Sequence, residues 1–566
     1  LYSSDPEQSR KDLDELVSRY ADFENIAVKS KPEIYRQWLS DYIVALHYQG
    51  NYKEIILVYE NRNLTEIQPA DYALQNVAGA YLQIRQPDTA ITLYSSLLER
   101  QPDNQALQSG LFYAYSDSHD YEAAFEVADA QVAKTGQWRK DHSGAVVKPN
   151  EERLAAEIML VNAYAYQDDL QQARKKLHSI IDLAPYNAEL HENLSTLYRW
   201  SEWPQQALQE AKIANTIKPD SNSGRIAQTY ALMDLYEYEA VEKQLEFFER
   251  PYFKGNAAVG RLKQDWQQHQ KRELYSRLEL GRTDVSENQS VQNPYGSADQ
   301  SLETYLYDKP YSLYMRPYVH QYFAQADFEE GTDRYERLGA GMHWRKHRHN
   351  FRLGLNGNYN GASDIGISLS GDYALDDYWS VAYGFNSFST NVPLRAYFQD
   401  ISGSDYSLGL RYQKDPLQAV SAGISYLDFS DGNERHSGWI NYEWRNINRP
   451  TYKMTLVPSV YTSNNSQTGG PYFSPENDLS VSLGLRNVWT TRQNYDAFLK
   501  PHLDLEVGLY DQSGYDTKTN LSASYWHEQS FDRDLSMEYG VRWSRNYYDG
   551  QPENHSAFFA VLNWRF

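Results

Sequence analysis

Along the carboxyl-terminal half of the chain, apolar and polar positions alternate one for one. In AFFAVLNWRF (557–566) the apolar positions Phe558, Ala560, Leu562, Trp564 and Phe566 recur at every second residue. FRLGLNGNY (351–359), SVSLGLR (480–486), HLDLEVGLY (502–510) and SMEYGVRW (536–543) alternate in the same way. Period two is the side-chain period of a strand with one apolar face. The pattern predicts strands near 270–280, 301–307, 311–323, 334–346, 349–359, 364–373, 378–388, 404–413, 417–427, 436–446, 451–461, 478–489, 496–509, 517–528, 534–546 and 555–566, about sixteen in all.

Upstream the spacing changes. ADYALQNVAGAYLQIRQPDTAITLYSSLLERQPD (70–103) places apolar residues three and four apart and closes at Pro102, which predicts amphipathic helices. Small and aromatic positions then recur 34 residues apart: Tyr81 and Tyr115, Ala90 and Ala124, Tyr164 and Tyr198, Ala173 and Ala207, Pro185 and Pro219. Small residues let two antiparallel helices approach, aromatics fill the groove, and Pro ends the pair. On these residues the segment 35–250 resembles the tetratricopeptide repeat, whose period is about 34. DHSGAVVKPNEER (141–153) interrupts the pattern, and Leu232 stands where the repeat after Pro219 would carry Tyr. Such a solenoid presents a concave surface to a partner.

The connections between strands sort by parity. YDKP, KHRH, ALDD, KDPL, NINRP, TTRQN and EQSFDR are short, whereas 283–300, 390–400 and 462–477 are longer. Short turns at one end and long loops at the other mark an outer-membrane barrel with its turns in the periplasm. The expected fold class is α + membrane β: a tetratricopeptide α-solenoid at 1–250, a linker at 251–268, and a 16-stranded antiparallel transmembrane β-barrel at 269–566. The repeats enter from the short-turn side, so they belong in the periplasm. On the closing strand Phe558, Leu562, Trp564 and Phe566 are expected to face lipid.

Composition narrows the function. The net charge of −22 argues against a nucleic-acid partner, because phosphate neutralisation needs a basic surface. The absence of cysteine excludes disulfides and thiolate metal sites. Mean hydropathy is −0.74, and no apolar run approaches the ~18 residues of a spanning helix. The first residues, LYSSDPEQSRKDL, hold no apolar signal segment and read as part of a longer, processed precursor.

A barrel of about sixteen strands leaves a wet lumen, and alternation predicts its lining. With Leu503, Leu505, Val507 and Leu509 outward, Asp504 and Glu506 point inward; with Met537, Tyr539, Val541 and Trp543 outward, Glu538 and Arg542 point inward. The same rule places Glu443, Asp364, Asp405, Arg352 and Arg411 in the lumen. Asp504, Glu506 and Glu538 form the leading candidate cluster. Residues 271–566 carry about 36 acidic and 27 basic side chains, roughly −9, leaving roughly −13 for the preceding part. A neutral or cationic cargo is expected, against the plainer alternative that lumen charges pair with one another and solvate the wall. Tyr and Trp abound, 49 and 13 of them, and are expected to serve interfacial girdles before sugar rings.

The repeat-plus-barrel arrangement resembles the exopolysaccharide export porins. LETYLYDKP (302–310), NVPLRAYF (391–398), RNYYDGQPE (545–553) and the NWRF end are similar to segments of the exporters of poly-β-1,6-N-acetyl-D-glucosamine within that group. The resemblance implies a non-enzymatic outer-membrane porin serving biofilm formation, with no cofactor. Its cargo would be poly-N-acetylglucosamine, partly deacetylated and hence cationic, with a periplasmic deacetylase as partner of the repeats. Two alternatives stand: an exporter of cellulose or another exopolysaccharide, and a membrane-anchored interaction scaffold with a plugged barrel.

Three signals carry less. His343, His347 and His349 in HWRKHRH lie at a strand end and turn with no carboxylate among them, so they read as a solvated basic turn rather than a metal site. DSNSG (220–224) lacks the Glu of a calcium loop. GAGMHW (339–344) is a strand with small inward residues, not a phosphate loop.

Overall fold

The computed structural model describes residues 6–60, 67–140, 147–284, 296–358 and 365–566. Helices follow the three- and four-residue apolar spacing. After a leading helix, Pro6–Ala27, they come in pairs: Pro32–Gln49 with Tyr52–Glu60, Asp71–Gln83 with Pro87–Arg100, and Gln105–Asp117 with Tyr121–Lys134. Glu151–Tyr166 with Leu170–Ile181, Ala188–Trp200 with Pro204–Ile217, and Asn222–Asp234 with Tyr238–Phe247 complete the series. A short hairpin, Trp138–Lys140 against Val147–Pro149, occupies the interruption. The segment expected as a linker holds a 3-10 turn, Pro251–Phe253, and a helix, Ala257–His269.

Local chemistry sets these ends. The Asn104 side chain accepts hydrogen bonds from the backbone N–H groups of Ala106 and Leu107, satisfying two donors that the first turn of Gln105–Asp117 leaves open. Pro87 begins its helix, where a missing N–H costs nothing. The core between pairs buries Trp38, Leu39, Ile43, Leu46, Val77, Tyr81 and Leu97, with Ala90 fully covered. Gly110 lies flat beneath the Tyr94 ring: a Cβ there would stand 2.4 Å from two ring carbons.

The chain divides into two compact units, Leu1–Leu197 with Ala207–Tyr230 and Ala240–Asp265, and Tyr198–Gln206 with Ala231–Glu239 and Trp266–Phe566. The second contains the barrel. Its strands are β1 (Glu273–Asp284), β2 (Ala298–Tyr307), β3 (Met315–Phe328), β4 (Gly331–Lys346), β5 (His349–Asn358), β6 (Ile365–Ala374), β7 (Trp379–Asn386) and β8 (Gly403–Asp415). Around the wall follow β9 (Gln418–Phe429), β10 (Glu434–Arg449), β11 (Tyr452–Asn465) and β12 (Asn477–Trp489). The last four are β13 (Ala497–Gln512), β14 (Lys518–Ser530), β15 (Leu535–Tyr548) and β16 (Gln551–Arg565). A three-residue strand, Arg492–Asn494, adds to β13 beside β12.

Every neighbour is antiparallel, and β16 pairs with β1, Phe558 opposite Leu280 and Arg565 opposite Glu273. Closure leaves no row of unpaired backbone groups to face hydrocarbon. Alternation separates the two faces cleanly. Ile424 is 64% exposed on the outside; on the closing strand Phe558 is 41% exposed and the next residue, Phe559, only 8%. None of the described helices is long and apolar enough to cross a membrane.

Candidate functional site in the barrel lumen

Inward positions of β8, β10, β12, β13 and β14 converge on a cavity of about 560 Å³ at the end of the barrel where β1 begins. Arg411, Glu443, Arg486, His502, Asp504 and Trp526 line it. Each is brought there by parity: Leu410, Ile440, Leu483, Leu505 and Tyr525 on the same strands are exposed outside. Glu443 accepts from Arg411 at 3.0 Å and from Arg486 at 3.1 Å, so one carboxylate bridges two guanidiniums. Asp504 accepts from the Trp526 indole N–H at 3.1 Å, and that indole stacks on His502 with ring centres 3.6 Å apart. A flat aromatic pair beside carboxylates and guanidiniums can hold the apolar face of a pyranose and the polar groups at its edge.

The remaining candidates are spread along the lumen. Glu506 is exposed between outward Leu505 and Val507, opposite Ser522. Glu538 lies directly opposite Glu528, whose carboxylate is 3.4 Å from His502 and 4.0 Å from Lys500. Asp504 and Glu506 share β13, and Glu538 on β15 stands in register with Glu528, which links it through His502 and Trp526 to Asp504. Arg542 approaches Glu279 at 3.6 Å and stands over the Phe559 ring. Asp405 sits on the inward face of β8, opposite Leu427 and Asn386. Arg352 meets the Tyr307 hydroxyl at 3.3 Å and the Tyr305 ring at 5.3 Å. Asp364 lies outside the described residues. Phe558, Trp564 and Phe566 are exposed on the outer face, and Leu562 is half-buried there.

Several lumen groups lie outside the candidate set although parity on their own strands reaches them. Glu279, Glu303, Arg486 and Glu528 all obey the parity rule; Glu528 would follow from outward Leu521, Ala523 and Tyr525 on its own strand. The larger difference concerns tyrosine. Tyr305, Tyr307, Tyr318, Tyr322 and Tyr335 point inward and pack on one another and on His320 and His343, thickening the β2–β4 wall. Both faces of these strands carry large side chains, so alternation of apolarity alone does not separate girdle from lumen.

At the opposite end two connecting segments fold inward. The turn Leu394–Gln399, between β7 and β8, packs on the inner face of β4, where Tyr397 and Tyr335 have ring centres 4.9 Å apart. Arg395 reaches Glu330 in the β3–β4 turn at 2.6 Å. Tyr472, between β11 and β12, stacks on Phe429 at 4.8 Å, and its hydroxyl bonds Asn433 and Asp431. With Val392, Ala396, Ile401 and Leu427 these form a small apolar core inside the barrel mouth.

The family model for the PgaA membrane β-barrel domain matches residues 269–566. The poly-β-1,6-N-acetyl-D-glucosamine export proteins of Escherichia coli strain K12 and of Escherichia coli O157:H7 are each 24% identical over 544 residues, 94% of this chain. The chain spans 66% of the length of these relatives. Among solved structures, a bacterial polysaccharide outer membrane secretin aligns at 22% identity over 53% of this chain and 99% of its own, with a TM-score of 0.48. A tetratricopeptide repeat protein from Parabacteroides merdae aligns at 16% identity over 45% of this chain and 98% of its own, with a TM-score of 0.33. With its barrel matched from first strand to last, and that match covering more than half of its residues, the chain belongs to the PgaA membrane β-barrel family of the outer membrane.

Proposed function

We propose that this protein is an export porin that passes partly de-N-acetylated poly-β-1,6-N-acetyl-D-glucosamine through its lumen to the cell exterior, in support of biofilm formation. The observation that carries the reading is the cavity at the β1 end, where Trp526 on His502 offers a stacking face and Asp504 and Glu443 offer acceptors. The two Escherichia coli relatives are poly-β-1,6-N-acetyl-D-glucosamine export proteins, which supports the same cargo. A polymer with free amines is a cation, and both parts of the chain carry net negative charge. Carboxylates spaced along the wall as Glu443, Asp504, Glu506, Glu528 and Glu538 are give a series of weak sites. Transport requires that none be strong enough to retain the chain. The apolar outer face, with Phe558, Trp564 and Phe566 exposed and Leu562 half-buried, contacts lipid. A periplasmic deacetylase engages the repeats. The path involves no covalent step, so the reading assigns no catalytic residue.

Deleting the gene and identifying the polysaccharide retained inside the cell tests this directly. Retention of poly-N-acetylglucosamine is expected; retention of cellulose or of no polymer contradicts it. A second reading, a plugged barrel anchoring an interaction scaffold, is favoured by the apolar core in the mouth. It requires that no variant of that core conducts ions in planar bilayers.

A further inference from the structure

The wall opposite the Trp526 cavity holds a second one, of about 430 Å³, with a different charge balance. Arg316 of β3, Arg345 of β4 and Arg352 of β5 line it, together with Glu273, His343 and Asp372. The carboxylates are already engaged. Glu273 meets Arg316 at 3.3 Å and Arg565 at 3.4 Å, and Asp372 accepts from Asn350 at 2.9 Å. Arg316 is further held by the backbone carbonyls of Asp308 and Lys271.

Arg345 and Arg352 are treated differently. Among the described residues neither has a carboxylate within 4.0 Å, although both are half-buried. Arg352 contacts the Tyr307 hydroxyl and the Tyr305 ring, and the Glu303 carboxylate acts on it only from beyond 4.0 Å. Arg345 meets the Asn350 side-chain oxygen at 3.4 Å and the ring of Tyr236. The contrast with the other cavity is sharp, since there Arg411 and Arg486 share Glu443. Nearby, His269 on the helix before β1 is pushed down to about 4 by burial, and the charges of Arg316, Arg345 and Arg565 add to that. Positive charge is thus concentrated where the wall supplies too few anions of its own. A partly desolvated guanidinium without a counter-charge in contact is costly, and its fork of N–H donors matches an oxyanion.

We propose that this cavity binds a small oxyanion, a phosphate or carboxylate group, between Arg345 and Arg352. The group is either a free solute or a substituent carried on a passing sugar chain. The proposal does not depend on which polymer is exported, because it concerns the other wall and a ligand of opposite charge.

Isothermal titration of the full chain in detergent micelles tests it, with inorganic phosphate, glucosamine 6-phosphate and uncharged N-acetylglucosamine as probes. Saturable binding of a phosphate-bearing probe is expected, weakened about tenfold or more in Arg352→Gln and in Arg345→Gln, since each removes one charge-assisted partner. Phosphate binding alone assigns the site to a free anion; tighter binding of the sugar phosphate assigns it to a polymer substituent. Heat-modifiable migration on gels reports whether each variant barrel is folded. If only one folds, that one decides; if neither does, sulfate competition against phosphate on the unaltered protein decides, with competition supporting the site. Absence of saturable phosphate and sugar-phosphate heat, or equal binding in the folded variants, would overturn the proposal.

Discussion

Replacing Tyr472 by Ala should open the outer mouth of the barrel. Tyr472 is 1% exposed, stacks on Phe429, and donates or accepts at Asn433 and Asp431. Truncating a buried aromatic to Ala costs about 3–5 kcal/mol. The strands on either side hold their own ladders, so the loss falls mainly on the inward-folded segment between β11 and β12 rather than on the wall. With each 1.4 kcal/mol worth about tenfold in an equilibrium, the balance between folded-in and released segment shifts roughly 100- to 4000-fold towards release. Single-channel recording in planar bilayers is the assay, with heat-modifiable migration as the control for an intact barrel. Long-lived open events should become frequent in the variant and stay rare in the parent protein. An intact variant barrel with unchanged conductance would show that the Tyr472 core does not govern the mouth, and would favour the anchored-scaffold reading.

Other expectations follow from the helical part and the lumen. Gly110→Ala drives a methyl into the Tyr94 ring and should destabilise the repeats by about 1–3 kcal/mol, read as a lower midpoint in thermal melts followed at 222 nm. Glu157 is partly buried, which alone would raise its carboxyl; hydrogen bonds and charges from Lys176 and Arg153 outweigh this and hold it below 4.5. A depressed carboxylate contributes stability above its unfolded pKa and loses it as pH falls through the folded value. The 222 nm melt should therefore weaken below about pH 4.5, and Glu157→Gln should remove about 1.5–3 kcal/mol at pH 7 and flatten that part of the pH profile. Glu443→Gln leaves Arg411 and Arg486 without their shared carboxylate, so the cation preference measured from reversal potentials in the Tyr472→Ala background should fall, more at 0.1 M than at 1 M salt.

Period two located all sixteen spanning strands, because one face of each must be apolar and the other must not, and loop parity gave the orientation. The same parity predicts an inward direction for Asp504, Glu506, Glu538 and Arg542. Pairing across strands was not legible: Glu443 lies between Arg411 and Arg486 only because β8, β10 and β12 bring those levels together, which depends on register and on the bulge at Arg445–Ile447. The inward tyrosines of β2–β4 were hidden for a related reason, since a tyrosine suits a membrane interface and a lumen wall equally well. The mouth core was illegible too, as Val392, Phe429 and Tyr472 come from segments far apart in the chain.

The central claim is that the acidic lumen guides a cationic polymer outward. Its most direct measurement compares secreted with periplasmic poly-N-acetylglucosamine in cells that carry Asp504→Lys, Glu506→Lys and Glu538→Lys together. Lumen positions tolerate charge, so the barrel should fold and secretion should fall severalfold while periplasmic polymer accumulates. Undiminished secretion through a folded triple-lysine barrel would contradict the account.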